Sequence, residues 1–126
     1  MTENELAKEI VDAAYHIHIN LGPGLLESVY ERVLSYELKK RGLHCKPQVV
    51  VPVRYDGVLF NEGFRADLIV EYKVIIELKS VEHLLPVHHK QLLTYLRLMD
   101  KHLGLLINFN EVKIKDGIHR MVNRLE

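Results

Sequence analysis

The chain has 126 residues, 48% apolar and 27% charged, with 17 acidic residues balanced by 17 basic ones. These values describe one folded domain over 1–126 and exclude a disordered or low-complexity chain. The zero net charge excludes binding to nucleic acid through an overall basic surplus, so any such binding rests on local patches or a second protein. No apolar run approaches the ~20 residues that cross a bilayer. The acidic start Met1-Thr2-Glu3-Asn4-Glu5 is unlike a signal peptide, and the lone cysteine, Cys45, cannot form an intrachain disulfide. A soluble, cytoplasmic protein with no membrane segment is expected.

In chain order, residues 3–20 read as a helix, with Leu6, Ile10, Ala13, Ala14, Ile17 and Leu21 recurring at helical steps. Gly22-Pro23-Gly24 breaks it. A second helix is predicted from about Leu25 to Arg41, with Leu26, Val29, Tyr30, Val33, Leu34 and Leu38 on its apolar face and Gly42 as its stop. Lys39-Lys40-Arg41 suits the negative end of that helix dipole. It is also a candidate basic patch, as is Lys113 with Lys115. Gln48 to Tyr55 reads as a strand that turns at Asp56-Gly57 into Val58-Leu59-Phe60. Phe64–Val70 and Val74–Lys79 read as two further strands joined by Glu71-Tyr72-Lys73. Leu84–Met99 is a helix with Pro86 in its first turn. Leu103–Asn108 is a strand buried on both faces, and Val112–Met121 is a weaker strand or tail. The helix before Leu103 serves as a crossover to a parallel strand, which gives a mixed sheet flanked by helices, an α/β (α+β) arrangement.

Two acids do not suit their strands, since strands disfavour Asp and Glu: Asp67 within Phe64–Val70 and Glu77 within Val74–Lys79. If residues 71–73 form a three-residue loop, Val70 opposes Val74, Asp67 opposes Glu77 and Arg65 opposes Lys79. Strand alternation then places Lys79 on the face of Glu77. A slip of one residue would separate the carboxylates. Like charges opposed in a sheet are destabilising unless compensated. A hard divalent cation such as Mg²⁺ or Mn²⁺, held by carboxylate oxygens, is one compensation. Pairing of Asp67 and Glu77 with Arg65 and Lys79 in a salt-bridged face is the other. The eight histidines, including His83, His88 and His89, match no familiar zinc spacing.

Asp67, nine residues, then Glu77-Leu78-Lys79 resembles the Asp-(x)n-Glu-x-Lys core of the PD-(D/E)XK nuclease superfamily, with Ala66 standing where the superfamily name has proline. Gly24-Leu25-Leu26-Glu27-Ser28-Val29-Tyr30 resembles the motif that names the GxxExxY protein family. Arg65-Ala66-Asp67-Leu68, Ile76–Ser80, His88-x-x-Gln91-x-x-x-Tyr95-Leu96 and Gly104–Phe109 are similar to its later blocks. The resemblance implies a restriction-endonuclease-like core. It implies Asp67, Glu77 and Glu27 as ligands of Mg²⁺ or Mn²⁺, Lys79 as the catalytic lysine, and Gln91 as a further catalytic-site residue. His88 and Tyr95, sharing the helix face of Gln91, and Arg65 are expected substrate contacts. Each has a plainer reading: Glu27 suits a helix N-terminus, and Gln91 and Tyr95 suit the core edge.

Two functions follow. One is a metal-dependent nuclease hydrolysing phosphodiesters of DNA or RNA. The other is a catalytically silent nuclease-fold module that binds a partner protein or ligand, a reading favoured by the short chain and neutral charge. A homodimer is also expected, because a two-fold pair offers two sites to a duplex.

Overall fold

The structure, a computed structural model, describes residues 1–125. Glu126, the last residue of the expected 1–126 domain, lies outside the described residues. Helix α1 (Glu3–Leu21) opens on a capping box. Glu5 N–H donates to the Thr2 hydroxyl at 3.2 Å, and Thr2 N–H donates to the Glu5 carboxylate at 2.9 Å. It ends at Gly22, whose φ of +69° suits a residue without a Cβ. Helix α2 (Glu27–Lys40) packs on α1 and buries Tyr30, Leu34 and Leu38.

Strands β1 (Cys45–Val50), β4 (Arg65–Val70), β5 (Val74–Lys79), β6 (Leu103–Asn108) and β7 (Ile118–Val122) form one sheet in the order β1-β4-β5-β6-β7. Strands β5 and β6 are parallel, joined through helix α3 (Pro86–Leu98), and the remaining neighbours are antiparallel. Helices α1 and α2 cover one face, over Leu68, Val70, Val74, Ile76, Leu78, Leu105 and Ile107. Helix α3 covers the other, over Ile69, Ile75 and Leu106. All six residues of β6 are buried, as expected of a strand enclosed on both faces.

Four expectations need correction. The strand expected over 48–55 is broken: β1 stops at Val50, and β2 (Val53–Tyr55) with β3 (Val58–Phe60) forms a separate two-stranded hairpin around Asp56-Gly57. The Val51 N–H bond to the Phe64 carbonyl at 3.1 Å carries the β1–β4 ladder one residue further, and Pro52 then has no N–H to extend it. Leu26 and Val29 are exposed rather than core, because the first turn of α2 borders the open pocket at Gln48 and Asp67 and the helix buries residues only from Tyr30 onward. Arg41 is not free for a nucleic-acid patch. Its guanidinium bonds Asp12 at 2.8 Å, Glu37 at 3.0 Å and Glu9 at 3.2 Å, clamping α1 to α2. The segment from Val112 begins with a 3-10 turn (Ile114–Gly117) and only then becomes β7.

That turn fixes the end of β6. A Cβ on Gly117 would stand 2.4 Å from the Asn108 carbonyl oxygen, and backbone cannot yield as a flexible side chain does. Gly117→Ala is therefore expected to destabilise the protein by about 1–3 kcal/mol, the usual cost of overpacking. Urea denaturation checks this, and a midpoint equal to wild type would contradict it.

Candidate active site

The hairpin between β4 and β5 has the three-residue loop inferred from the sequence. Val70 pairs with Val74, Ile69 with Ile75 and Leu68 with Ile76. There the ladder stops, although β5 continues to pair with β6 as far as Lys79 and Asn108. Past that point two backbone N–H groups bond to carboxylates. Asp67 N–H donates to Glu77 Oε1 at 3.0 Å, and Leu78 N–H donates to Asp67 Oδ2 at 2.8 Å. The acids thus converge by wedging β4 away from β5. Side-chain alternation breaks at the same place: Leu68 packs on the α1–α2 side and Ala66 on the α3 side, with Asp67 between them. This opening removes the expected pairing of Arg65 with Lys79. Arg65 instead pairs with Val50 and is exposed.

On the α2 side Asp67 meets the expected Glu27 and two residues, Glu31 and Gln48, that the sequence reading passed over. Glu27, Ser28 and Glu31 of α2, Gln48 of β1 and Asp67 enclose a pocket of about 220 Å³. Gln48 Nε2 donates to Glu31 Oε1 at 2.5 Å and reaches Asp67 Oδ1 at 3.5 Å. Gln48 has φ +51°, a left-handed conformation uncommon outside glycine, in the middle of a strand. Such strain costs on the order of 1–3 kcal/mol and persists where surroundings enforce it. The signal for Glu31 lay in its position one helical turn after Glu27. No sequence pattern marks Gln48.

Several of the quoted motif residues build the frame. The Tyr30 hydroxyl donates to the Gly22 carbonyl at 2.5 Å and accepts from Leu25 N–H at 3.2 Å, while its ring stacks on Phe109 at 4.5 Å. Gly24, with φ +100°, lets the chain turn between these contacts. The Ser80 hydroxyl donates to the Leu25 carbonyl at 2.6 Å and ties the turn to the end of β5. Glu27 is thereby held at the mouth of the Asp67 pocket. Buried Asn108 fixes the loop after Lys79: its Oδ1 accepts from Val81 N–H at 3.1 Å and its Nδ2 donates to the Val81 carbonyl at 2.8 Å.

On the α3 side, Lys79 is half-buried, and its positive charge acts on both Asp67 and Glu77. His88 Nδ1 accepts from Leu85 N–H at 3.1 Å, which caps α3 and leaves Nε2 available. Burial, then the Lys79 charge, holds the His88 ring below its usual value, and Glu27 acts in the opposite sense. Tyr95 is 3% exposed and packs against Phe64 with ring centres 5.8 Å apart, so it is a wall of the site rather than an open contact surface. Burial, then the charges of Glu77 and Asp67, pushes its hydroxyl up to about 12. Gln91 lies beside Tyr95 along α3.

Burial is the main force on the acids. It raises Asp67, opposed by the Leu78 N–H bond and Lys79. Burial and then the Asp67 charge push Glu77, 5% exposed, up to about 8. Neither carboxylate has an ion-pair partner among the described residues. A cluster of hard oxygens short of positive charge fits a hard divalent cation. Among the described residues no three carboxylate, imidazole or thiol groups already stand at metal-ligand spacing.

A Glu77 value raised from 4.5 to about 8 means that the metal-free folded state holds a proton the unfolded chain releases. Its contribution to stability is full below pH 4.5 and is lost as pH rises toward 8. Unfolding free energies from denaturant titrations in EDTA are expected to fall across that window, by up to about 1.4 kcal/mol per pH unit. Glu77→Gln should flatten the profile, and an unchanged slope in that variant would contradict the assignment.

The PD-(D/E)XK nuclease superfamily model matches residues 4–121. No curated protein matches the chain. Among solved structures, the crystal structure of SSO0001 is similar in fold, with a TM-score of 0.54 and 24% identity over 79% of this chain. The match covers 52% of SSO0001, so this chain spans about half the length of that protein. With the family match spanning both acids and the lysine, the chain belongs to the PD-(D/E)XK nuclease superfamily.

Proposed function

We propose that this protein is a metal-dependent nuclease that hydrolyses phosphodiester bonds of DNA or RNA at the Asp67–Glu77–Lys79 site. The observation that carries the reading is the opened β4–β5 ladder, in which buried Glu77 and half-buried Asp67 lie together without an ion pair among the described residues. Asp67 and Glu77, with Glu27 at the pocket mouth, are the residues that would hold Mg²⁺ or Mn²⁺. Such a cation polarises a phosphate and lowers the pKa of water. Backbone N–H bonds engage Glu77 Oε1 and Asp67 Oδ2, which leaves Glu77 Oε2 and Asp67 Oδ1, the latter with only the 3.5 Å contact from Gln48, for this role. Lys79, held at the strand end by the Asn108 lock, orients the attacking water and stabilises negative charge developing on the phosphate. Gln91 orients substrate or water from α3. His88, through its free Nε2, and exposed Arg65 contact phosphates, while Tyr95 shapes the wall behind them.

A binding-only module is the competing reading. It is favoured by the lack of a ready group of three metal-ligating side chains among the described residues. Function as a homodimer belongs to the nuclease proposal, since two sites related by a two-fold axis address both strands of a substrate.

Cleavage of single- and double-stranded DNA and RNA in Mg²⁺ or Mn²⁺ separates these readings. Wild type is expected to cut at least one substrate. Lys79→Ala should reduce the rate by at least about 100-fold, in the range seen when a charge-stabilising donor is lost, with its circular dichroism spectrum unchanged. Equal rates in wild type and Lys79→Ala would assign the cleavage elsewhere. No cleavage by wild type would favour the binding module.

A further inference from the structure

A groove of about 450 Å³ runs beside the site between α3 and the β2–β3 hairpin, with Val53, Phe64, Val87 and Leu98 as apolar walls. Lys90, Gln91 and Thr94 add an amine, an amide and a hydroxyl to the same lining. Its lining includes Tyr95, on whose hydroxyl the charges of Asp67 and Glu77 act, so the groove lies on the α3 side of the carboxylate pair. Phe64 stands on its rim, 45% exposed. Tyr55 and Phe60 continue the exposed aromatic surface along the hairpin, on the face of Val53, and Lys90 of α3 is the cation in the lining.

The mixture is specific. A nucleobase has two apolar faces and a polar edge, which match apolar walls lined by a few donors and acceptors. Aromatic platforms interleaved with cations bind unpaired strands, because every base offers a π-face and the cations track the phosphates. A base held in a duplex cannot enter such a groove without being unstacked. Duplex affinity, in turn, rests largely on phosphate contacts, and this chain has no basic surplus to supply them.

Resting on the nuclease reading of the adjacent carboxylates, we infer that the substrate is an unpaired strand of nucleic acid. The base of a nucleotide next to the scissile phosphate seats in the α3–hairpin groove against Phe64. The groove thus sets strand selectivity, while Asp67 and Glu77 serve the cut.

Binding without cleavage tests this independently. Fluorescence anisotropy in EDTA would compare labelled oligothymidylate and oligouridylate, each about 12 nucleotides long to cover one site, with a blunt duplex of equal length. Wild type is expected to bind at least one single strand more tightly than the duplex. Phe64→Ala should weaken that binding about tenfold, within the range for loss of one stacked base. Val87→Asp should weaken it through repulsion of phosphate, and an acid is tolerated in the first turn of α3. Thermal melts confirm folding of both variants.

Phe64-dependent single-strand binding by a protein that cuts nothing would uphold this inference while removing the nuclease reading. Metal-dependent cleavage with no preference for single strands and no effect of Phe64→Ala would do the reverse. Conversion of a wild-type dimer to a monomer by Val87→Asp in sedimentation would overturn the inference, because a second copy would then cover the groove.

Discussion

Two carboxylates that take hydrogen bonds from backbone N–H groups, where a sheet would ordinarily continue its ladder, set the character of this molecule. Asp67 accepts from Leu78 N–H and Glu77 from Asp67 N–H, so the strands part without orphaning those donors. Such charge-assisted bonds offset part of the cost of burying the acids. They do not neutralise the pair. Burial and mutual repulsion therefore raise the proton affinity of Glu77, and Lys79 supplies only one nearby positive charge. A proton and a divalent cation become competitors for the same oxygens. A nuclease site can use that competition, because what the fold lacks electrostatically is what the chemistry requires.

The surrounding structure holds the opening in place. Strand β5 is straight and fully paired with β6 on one side while it is released from β4 on the other. Asn108 holds the backbone of Val81, Ser80 before it bonds Leu25, and the Tyr30 hydroxyl joins the Gly22–Leu25 turn to the core. The result delivers Glu27 to one side of the opening and the α3 residues His88, Gln91 and Tyr95 to the other. Residues with no chemistry of their own, such as Tyr30, Asn108 and Gly117, thus fix distances between residues that have it. Arg41, bonded through Nε and Nη1 to Glu37, Glu9 and Asp12, is used in the same way to join two helices.

Much of this was legible in the sequence where periodicity and turn chemistry agree. The two leading helices, the Asp56-Gly57 hairpin and the buried strand 103–108 each carry a strong local pattern. The register that brings Asp67 to Glu77 followed from a loop of three residues. What the sequence could not show was set by tertiary contacts. The ladder ends at Leu68 because side-chain oxygens replace carbonyl partners, and no alternation pattern encodes that choice. Extrapolating the register three residues past the Leu68–Ile76 pair misplaced Arg65 opposite Lys79 for this reason. Gln48 reaches Asp67 through a left-handed backbone in mid-strand, and Glu31 joins through the packing of α2. Leu26 and Val29 obey helical spacing but lie beyond the layer that α2 covers.

The central claim is that the opened ladder is a cation site. Electron paramagnetic resonance follows free hexaaqua Mn²⁺ directly, with no need for substrate or turnover. Titration of the protein with Mn²⁺ at a pH above the Glu77 value of about 8 should show the free signal depleted by wild type. Depletion should persist in Lys79→Ala and vanish in Asp67→Asn and Glu77→Gln. Mn²⁺ that stays free with folded wild type, or that is bound equally by Asp67→Asn, would contradict the account.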